Sequence, residues 1–290
     1  MKKNFLYFEP ATIAQAIAAL KENGAGAWRL AGGTDLLVRM KRREISPDVL
    51  VDLKNIPELT GMNAEEGGFR IGALTTVAAL LRNKEVGRLF PALRQAAAVM
   101  ASPPIRELAT LGGNICNASP AADLVPPLVA AGARVVIAGE NGTRTVPLEE
   151  FFRGPRETVL QAQDILTAVI IPWPSKECRS VYLKQGIRRG HEIAIAGVAV
   201  SLVRGEKNRL AGVRIALGAV GPTVLRASQA EEFLRQHPLS EAVLAEAGSL
   251  AALAAQPIDD IRASAWYRRE IVRILTVRAL KFCLADGGEA

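Results

Sequence analysis

Thr110-Leu-Gly-Gly-Asn-Ile-Cys-Asn-Ala-Ser-Pro-Ala-Ala-Asp123 sets two adjacent glycines, two asparagines, a serine and an aspartate in one short stretch. So many small, hydrogen-bonding residues offer little to a hydrophobic core. They suit a loop wrapped around a polar ligand, since glycine lets the backbone approach closely and the side chains supply donors and acceptors. A merely structural loop is the alternative. A similar stretch, Leu30-Ala-Gly-Gly-Thr-Asp-Leu36, lies nearer the N-terminus. There the glycines curl the chain between a strand and a helix, and Thr34 adds a hydroxyl. Unpaired N–H groups at such a turn favour an anion, typically a phosphate. A plain strand-to-helix turn is the other reading. Together, two such turns can grip the two phosphates of one dinucleotide.

Outward from these turns, hydrophobic spacing predicts a mixed α and β chain. Thr12-Ile-Ala-Gln15 reads as a capping box before a helix that Gly24 stops. Trp28–Ala31 and Val49–Leu53 read as strands, with a helix over Asp35–Arg43 between them. Next come a strand at Phe69–Ala73 and helices at Thr76–Arg82 and Pro91–Ala101. A hairpin over Arg134–Ala138 and Thr143–Val146 turns on Asn141-Gly142. After a strand at Asp164–Ile171, Pro172-Trp-Pro174 breaks the chain and suggests a domain boundary. Three strands follow, Val181–Lys184, Ile193–Val203 and Val213–Val220, then helices at Ala227–Arg235, Glu241–Ala255 and Ser264–Ala285. In the last helix Val272, Leu275, Ala279 and Phe282 form one apolar stripe. Strands followed by helices suggest a compact α+β domain.

Composition excludes several classes. The 290 residues are 49% hydrophobic and 22% charged, which supports a packed core rather than disorder. The net charge of +7 is spread along the chain; its densest run, Arg39, Lys41, Arg42 and Arg43, reads as a solvated helix face without a nucleic-acid motif. Cys116, Cys178 and Cys283 are scattered, so neither a disulfide framework nor a thiolate cluster site is expected, and a reducing, cytoplasmic setting fits. His191 and His237 are also far apart and read as surface residues, not as zinc ligands or catalysts. The N-terminal run Phe5–Phe8 is too short for a signal-peptide core, and no apolar run is long enough to cross a bilayer. Neither G-x-G-x-x-G nor G-x-x-x-x-G-K-S/T occurs, so a dinucleotide would not be held in the Rossmann manner. Finally, Tyr182-Leu-Lys184-Gln185, followed by Arg188-Arg189, puts a lysine just after the domain break. A cation facing a cleft there would stabilise an anionic ring such as a reduced flavin; an exposed strand lysine is the alternative.

In order and spacing, Ala31-Gly-Gly-Thr-Asp35, Ile71-Gly-Ala-Leu-Thr-Thr76, Thr110-Leu-Gly-Gly-Asn-Ile115, Ser119-Pro-Ala-Ala-Asp123, Lys184-Gln185 and Trp266-Tyr-Arg-Arg269 form one pattern. Over essentially its full length the chain resembles the FAD-binding subunits of the xanthine dehydrogenase and carbon monoxide dehydrogenase family, the molybdenum hydroxylases. That resemblance implies an α+β protein with a vanillyl-alcohol-oxidase-type (PCMH-type) FAD-binding domain. Two α/β subdomains, residues 1–55 and 56–172, would hold FAD. A C-terminal α+β domain, residues 173–290, would cover the flavin with a three-stranded antiparallel sheet and helices.

The resemblance also assigns residues. Arg29, Leu30, Ala31, Gly32, Gly33, Thr34, Asp35 and Leu36 would line the pyrophosphate. Thr110, Leu111, Gly112, Gly113 and Asn114 would hold the phosphate and ribitol region, and Thr76 and Asn117 would also bind the cofactor. Asp123 would lie on the adenosine side, and Leu166 and Lys184 by the isoalloxazine or its rim. No catalytic side chain or metal is implied. The partners would be a small subunit carrying 2Fe–2S clusters and a large molybdopterin subunit, in a dimer of heterotrimers. Electrons would leave to an acceptor such as NAD. The Gly113–Asn117 segment is similar to that of bacterial purine dehydrogenases. Two rivals stand beside this reading: a stand-alone flavin-dependent reductase or oxidase of the same fold, and a non-enzymatic basic adaptor.

Overall fold

The computed structural model describes residues 4–188, 190 and 192–285. Arg189 and His191, singled out in the sequence, lie outside them.

The N-terminal part folds as a three-stranded parallel sheet, in the order Leu6–Phe8, Val49–Asp52, Ala27–Leu30. Its central strand is buried at every position, as a strand covered on both faces must be. Helix Ile13–Asn23 packs Ala16, Ala19 and Leu20 into the same core. Thr12 caps that helix by accepting the Gln15 amide, while the Gln15 side chain reaches back to the Ala11 amide. Gly24 ends the helix at φ 52°. The N-terminal apolar run, read in the sequence only as too short for a signal, is the edge strand of this sheet.

An antiparallel sheet follows, ordered Met62–Glu65, Gly68–Gly72, Ile165–Ile171, Arg134–Gly139, Gly142–Pro147. The expected hairpin is present, and Gly142 takes its positive φ of 103°. Short helices at Val77–Arg82, Pro91–Val99 and Val125–Ala130 share one core with this sheet. Its middle strand joins the two units, since Ile165 packs in the first core and Leu166 in the second.

The C-terminal sheet runs Cys178–Gln185, Ala196–Arg204, Leu210–Gly218, Leu225–Arg226. It has four strands rather than the expected three. The fourth spans two residues beyond Gly221-Pro222, too short to show any alternation. Neighbouring side chains on one strand face opposite layers. Val181 therefore joins the helices Ser228–Gln236, Glu241–Ala254 and Ala265–Leu284, whereas Tyr182 joins the core of the middle unit. Arg268, from the Trp266–Arg269 motif, is a buried strut: it donates to the carbonyls of Ile195 (2.7 Å) and Ala219 (3.1 Å) and to Asp260 Oδ1 (2.7 Å). Among the described residues no helix is long and apolar enough to cross a membrane.

Candidate functional site

Where strand Ala27–Leu30 ends, the chain turns through Gly32 and Gly33 into helix Leu36–Lys41. Gly33 sits at φ 73°, a conformation that favours glycine. A Cβ on Gly32 would overlap the Leu108 carbonyl. The first glycine turn thus lies directly against the segment leading into the second. Among the described residues, no protein acceptor takes the N–H groups of Gly32, Gly33, Thr34, Asp35 or Leu36. Consecutive amides left free at one turn form a nest for an anion.

The second glycine pair behaves differently. The sequence predicts a ligand-wrapping loop; the structure forms a short helix, Leu111–Cys116, capped by Thr110. Thr110 Oγ1 accepts the Gly113 amide at 3.0 Å, and the Asn114 amide donates to the Thr110 carbonyl at 3.0 Å. Gly112 donates to the Ala73 carbonyl at 2.7 Å, and a Cβ there would come within 2.8 Å of that same oxygen. These amides are therefore engaged within the protein, and only the first turn offers main-chain donors. What the second contributes is bare glycine surface and the Asn114 side chain. Asn114 Oδ1 is buried with no hydrogen-bond partner, and its amide nitrogen has only Met100 Sδ at 3.9 Å. An acceptor left so in a native interior calls for a donor from outside the chain.

Both turns face one cavity of about 370 Å³, within the range of small-molecule sites. Of the predicted residues, Arg29, Ala31 through Leu36, Thr110, Gly112, Gly113, Asn114, Asn117 and Leu166 line it. Five lie elsewhere. Leu30 and Leu111 are buried, Leu111 within the core of the middle unit. Thr76 caps helix Val77–Arg82 through the Ala79 amide and bridges to Thr110. Asp123 and Lys184 pair with each other, Lys184 Nζ lying 2.8 Å from Asp123 Oδ2. Tyr182 donates its hydroxyl to Asp123 Oδ1 at 3.0 Å. Burial holds the Asp123 carboxyl above its ordinary range even with Lys184 and Tyr182 beside it.

Sequence reasoning missed Trp28, Arg39 and the Gln161–Ala162 segment as cavity walls. Trp28 and Arg39 flank the first turn and were findable by helix and strand spacing. The 161–162 segment arrives only through tertiary structure, brought in by Arg29, whose guanidinium donates to the carbonyls of Asp164 (2.6 Å), Gln161 (3.1 Å) and Ala162. Burial pulls the Arg29 pKa down and lifts those of Asp35 and Cys116, the last to about 12. Cys116 is thus a neutral thiol that fills space. Free turn amides, glycines on the cavity wall and an orphaned acceptor together fit a phosphate-bearing dinucleotide with a polar chain beyond it.

Comparison with known proteins bears this out. The family described as the FAD binding domain in molybdopterin dehydrogenase matches residues 3–174, and the CO dehydrogenase flavoprotein C-terminal domain matches residues 181–282. The chain belongs to the FAD-binding subunits of the molybdenum hydroxylases. This FAD-binding subunit is 33% identical over 284 residues to the xanthine dehydrogenase FAD-binding subunit of Escherichia coli O157:H7, covering 97% of each chain. It is likewise 33% identical to the carbon monoxide dehydrogenase medium chain of Hydrogenophaga pseudoflava, covering 95% of this chain and 96% of that one. The solved carbon monoxide dehydrogenase of that organism superposes with a TM-score of 0.93 at 33% identity, over 97% of both chains. Quinoline 2-oxidoreductase from Pseudomonas putida 86 gives 0.90 at 30% identity, over 98% of both. The fold is therefore the PCMH-type FAD domain plus C-terminal domain, and FAD is the cofactor.

Proposed function

We propose that this subunit carries electrons from a small 2Fe–2S subunit, through FAD, to a soluble acceptor such as NAD, in a cytoplasmic xanthine- or purine-oxidising complex. The large molybdopterin subunit would hydroxylate the purine, and the complex would be a dimer of heterotrimers. Residues 1–55 and 56–172 would hold the cofactor, and residues 173–290 would lie across it. The observation that carries this reading is the row of free amides from Gly32 to Leu36 facing the same cavity as the orphaned Asn114 oxygen.

Bound FAD accepts electrons singly or in pairs, which lets it stand between iron–sulfur clusters and a two-electron acceptor. The residues of the chain bind and orient. The amides of Gly32–Leu36 hold phosphate charge, and Asn114 Oδ1 accepts a hydrogen bond from the ligand's polar chain. Leu166 and Met100 keep water from the apolar side of the cavity. No side chain need act as a nucleophile. Support for the purine comes from the xanthine dehydrogenase relatives of Escherichia coli and Arabidopsis thaliana, which are 33% identical to this chain.

The test is to co-express the chain with its molybdopterin and iron–sulfur partners. The purified complex should show flavin absorption and reduce NAD when given xanthine. Flavin without xanthine-dependent reduction would overturn the purine assignment; a complex lacking flavin would overturn the whole reading.

A further inference from the structure

Trp28 and Arg39 stand together on the cavity wall beside the first glycine turn, one from the strand before it and one from the helix after it. The Arg39 guanidinium lies over the indole ring, 5.3 Å from its centroid. Arg39 Nε is buried and has no hydrogen-bond partner, and the nearest carboxylate, Glu44, is 3.7 Å away. The guanidinium is thus oriented by the flat face of the ring more than by any hydrogen bond. Such a pair is a common stacking platform, because both groups are planar and the cation is attracted to the ring face.

The position of the platform relative to the free amides gives it a role. A dinucleotide held at its pyrophosphate sends one ring system each way from the phosphates. Asn114, Met100 and Leu166 line the same cavity and offer a polar group and apolar surface, which suits a polar chain and a ring. Trp28 and Arg39 flank the glycine turn itself, and neither has an apolar or hydrogen-bonding task in the core. Taking the bound dinucleotide of the proposed function as given, we infer that the Trp28–Arg39 pair stacks the adenine ring of FAD and so makes the site select the whole dinucleotide over its flavin half. An aromatic or guanidinium face is indifferent to edge chemistry, so the purine would be held by stacking rather than read by hydrogen bonds.

Titrating the flavin-stripped full-length chain with FAD, FMN and ADP tests this. Trp28→Leu should weaken FAD and ADP binding by roughly tenfold or more, the scale of one lost base–aromatic stack, and leave FMN unchanged. Trp28→Phe should restore most of the FAD affinity, and Arg39→Met should repeat the loss more weakly. Far-ultraviolet circular dichroism checks that each variant is folded; if Trp28→Leu is not, Arg39→Met carries the test alone. Equal weakening of all three ligands, or FAD affinity unchanged in every folded variant, would overturn the inference while leaving the cofactor assignment intact. A parent chain that takes up no FAD would instead overturn the proposed function.

Discussion

Lys184 reaches from the C-terminal sheet into the FAD-binding part of the chain and meets Asp123, Nζ to Oδ2 2.8 Å, with both side chains almost fully buried. The ammonium also donates to the Glu192 carbonyl at 2.9 Å, and Tyr182, two residues earlier on the same strand, supplies a second hydrogen bond to the carboxylate. Because successive strand residues alternate, positions 182 and 184 share a face, and that face meets Asp123. One carboxylate thereby pins the C-terminal domain against the segment that follows the second glycine turn.

Breaking that pair by Lys184→Met leaves a buried carboxylate unpaired, which costs about 3–5 kcal/mol. Burial already holds the Asp123 pKa up, so losing the cation should raise it further. A raised pKa penalises the charged form, so stability is lost as pH rises through it. The deficit in Lys184→Met should therefore shrink at lower pH, and adding Asp123→Asn should recover part of it at pH 7. Urea midpoints for the single and double variants at two pH values check this; a single variant as stable as the parent would contradict it.

The two glycine pairs should respond unequally to substitution. At Gly32 a Cβ would collide with the Leu108 carbonyl, a backbone atom that cannot step aside. At Gly113 it would meet only Thr110 Oγ1, at 2.8 Å, and that hydroxyl can rotate away at the cost of one cap. Gly32→Ala should therefore abolish stoichiometric flavin. Gly113→Ala should retain flavin with stability little changed, because the lost N-cap, about 1 kcal/mol, is offset by a gain of about the same size from alanine in a helix. The flavin-to-protein absorbance ratio of each purified variant decides the matter.

The contrast between the two pairs also marks what was legible in the sequence. Helices with a cap and apolar spacing, such as Ile13–Asn23 behind Thr12, could be read directly. Helix Leu111–Cys116 could not, because two glycines each cost about 1 kcal/mol against alanine in a helix. Only the close approach of Gly112 to the Ala73 backbone makes glycine necessary there. Strand Leu6–Phe8 exposes every side chain and so shows no alternation. Of the site, the first turn was readable because its composition is its mechanism. The partnership of Lys184 with Asp123, 61 residues apart, was not, since no local pattern records which buried charge will find which.

In the C-terminal domain, Asp260 should set an acid limit on stability. Burial alone would lift its carboxyl, but the Arg262 amide, the Arg268 guanidinium and the Ala263 amide outweigh it and bring the pKa down from 3.8 to about 2. A depressed pKa contributes stability above the unfolded value that is lost as pH falls toward the folded one. The parent should therefore lose this contribution between about pH 4 and pH 2, and Asp260→Asn should have a flatter acid limb. Denaturation midpoints over that window compare the two; parallel curves would show that the strut from Arg268 does not depend on the charge of Asp260.

Arg29 fastens one cavity wall to another. Its guanidinium serves the carbonyls of Gln161, Ala162 and Asp164, which precede strand Ile165–Ile171, and it faces the cavity as well. Hydrogen bonds from a charged group are worth about 1.5–3 kcal/mol, and each neutral replacement forfeits several at once. Arg29→Met should therefore free the 161–164 segment and lower FAD affinity together. Arg29→Lys should recover little, because a single ammonium cannot reproduce the planar fork that spans separated carbonyls. Limited proteolysis in that segment, followed beside a flavin titration, checks both consequences. Weakened FAD binding with the segment still protected would mean that Arg29 acts on the ligand directly rather than through the wall it holds.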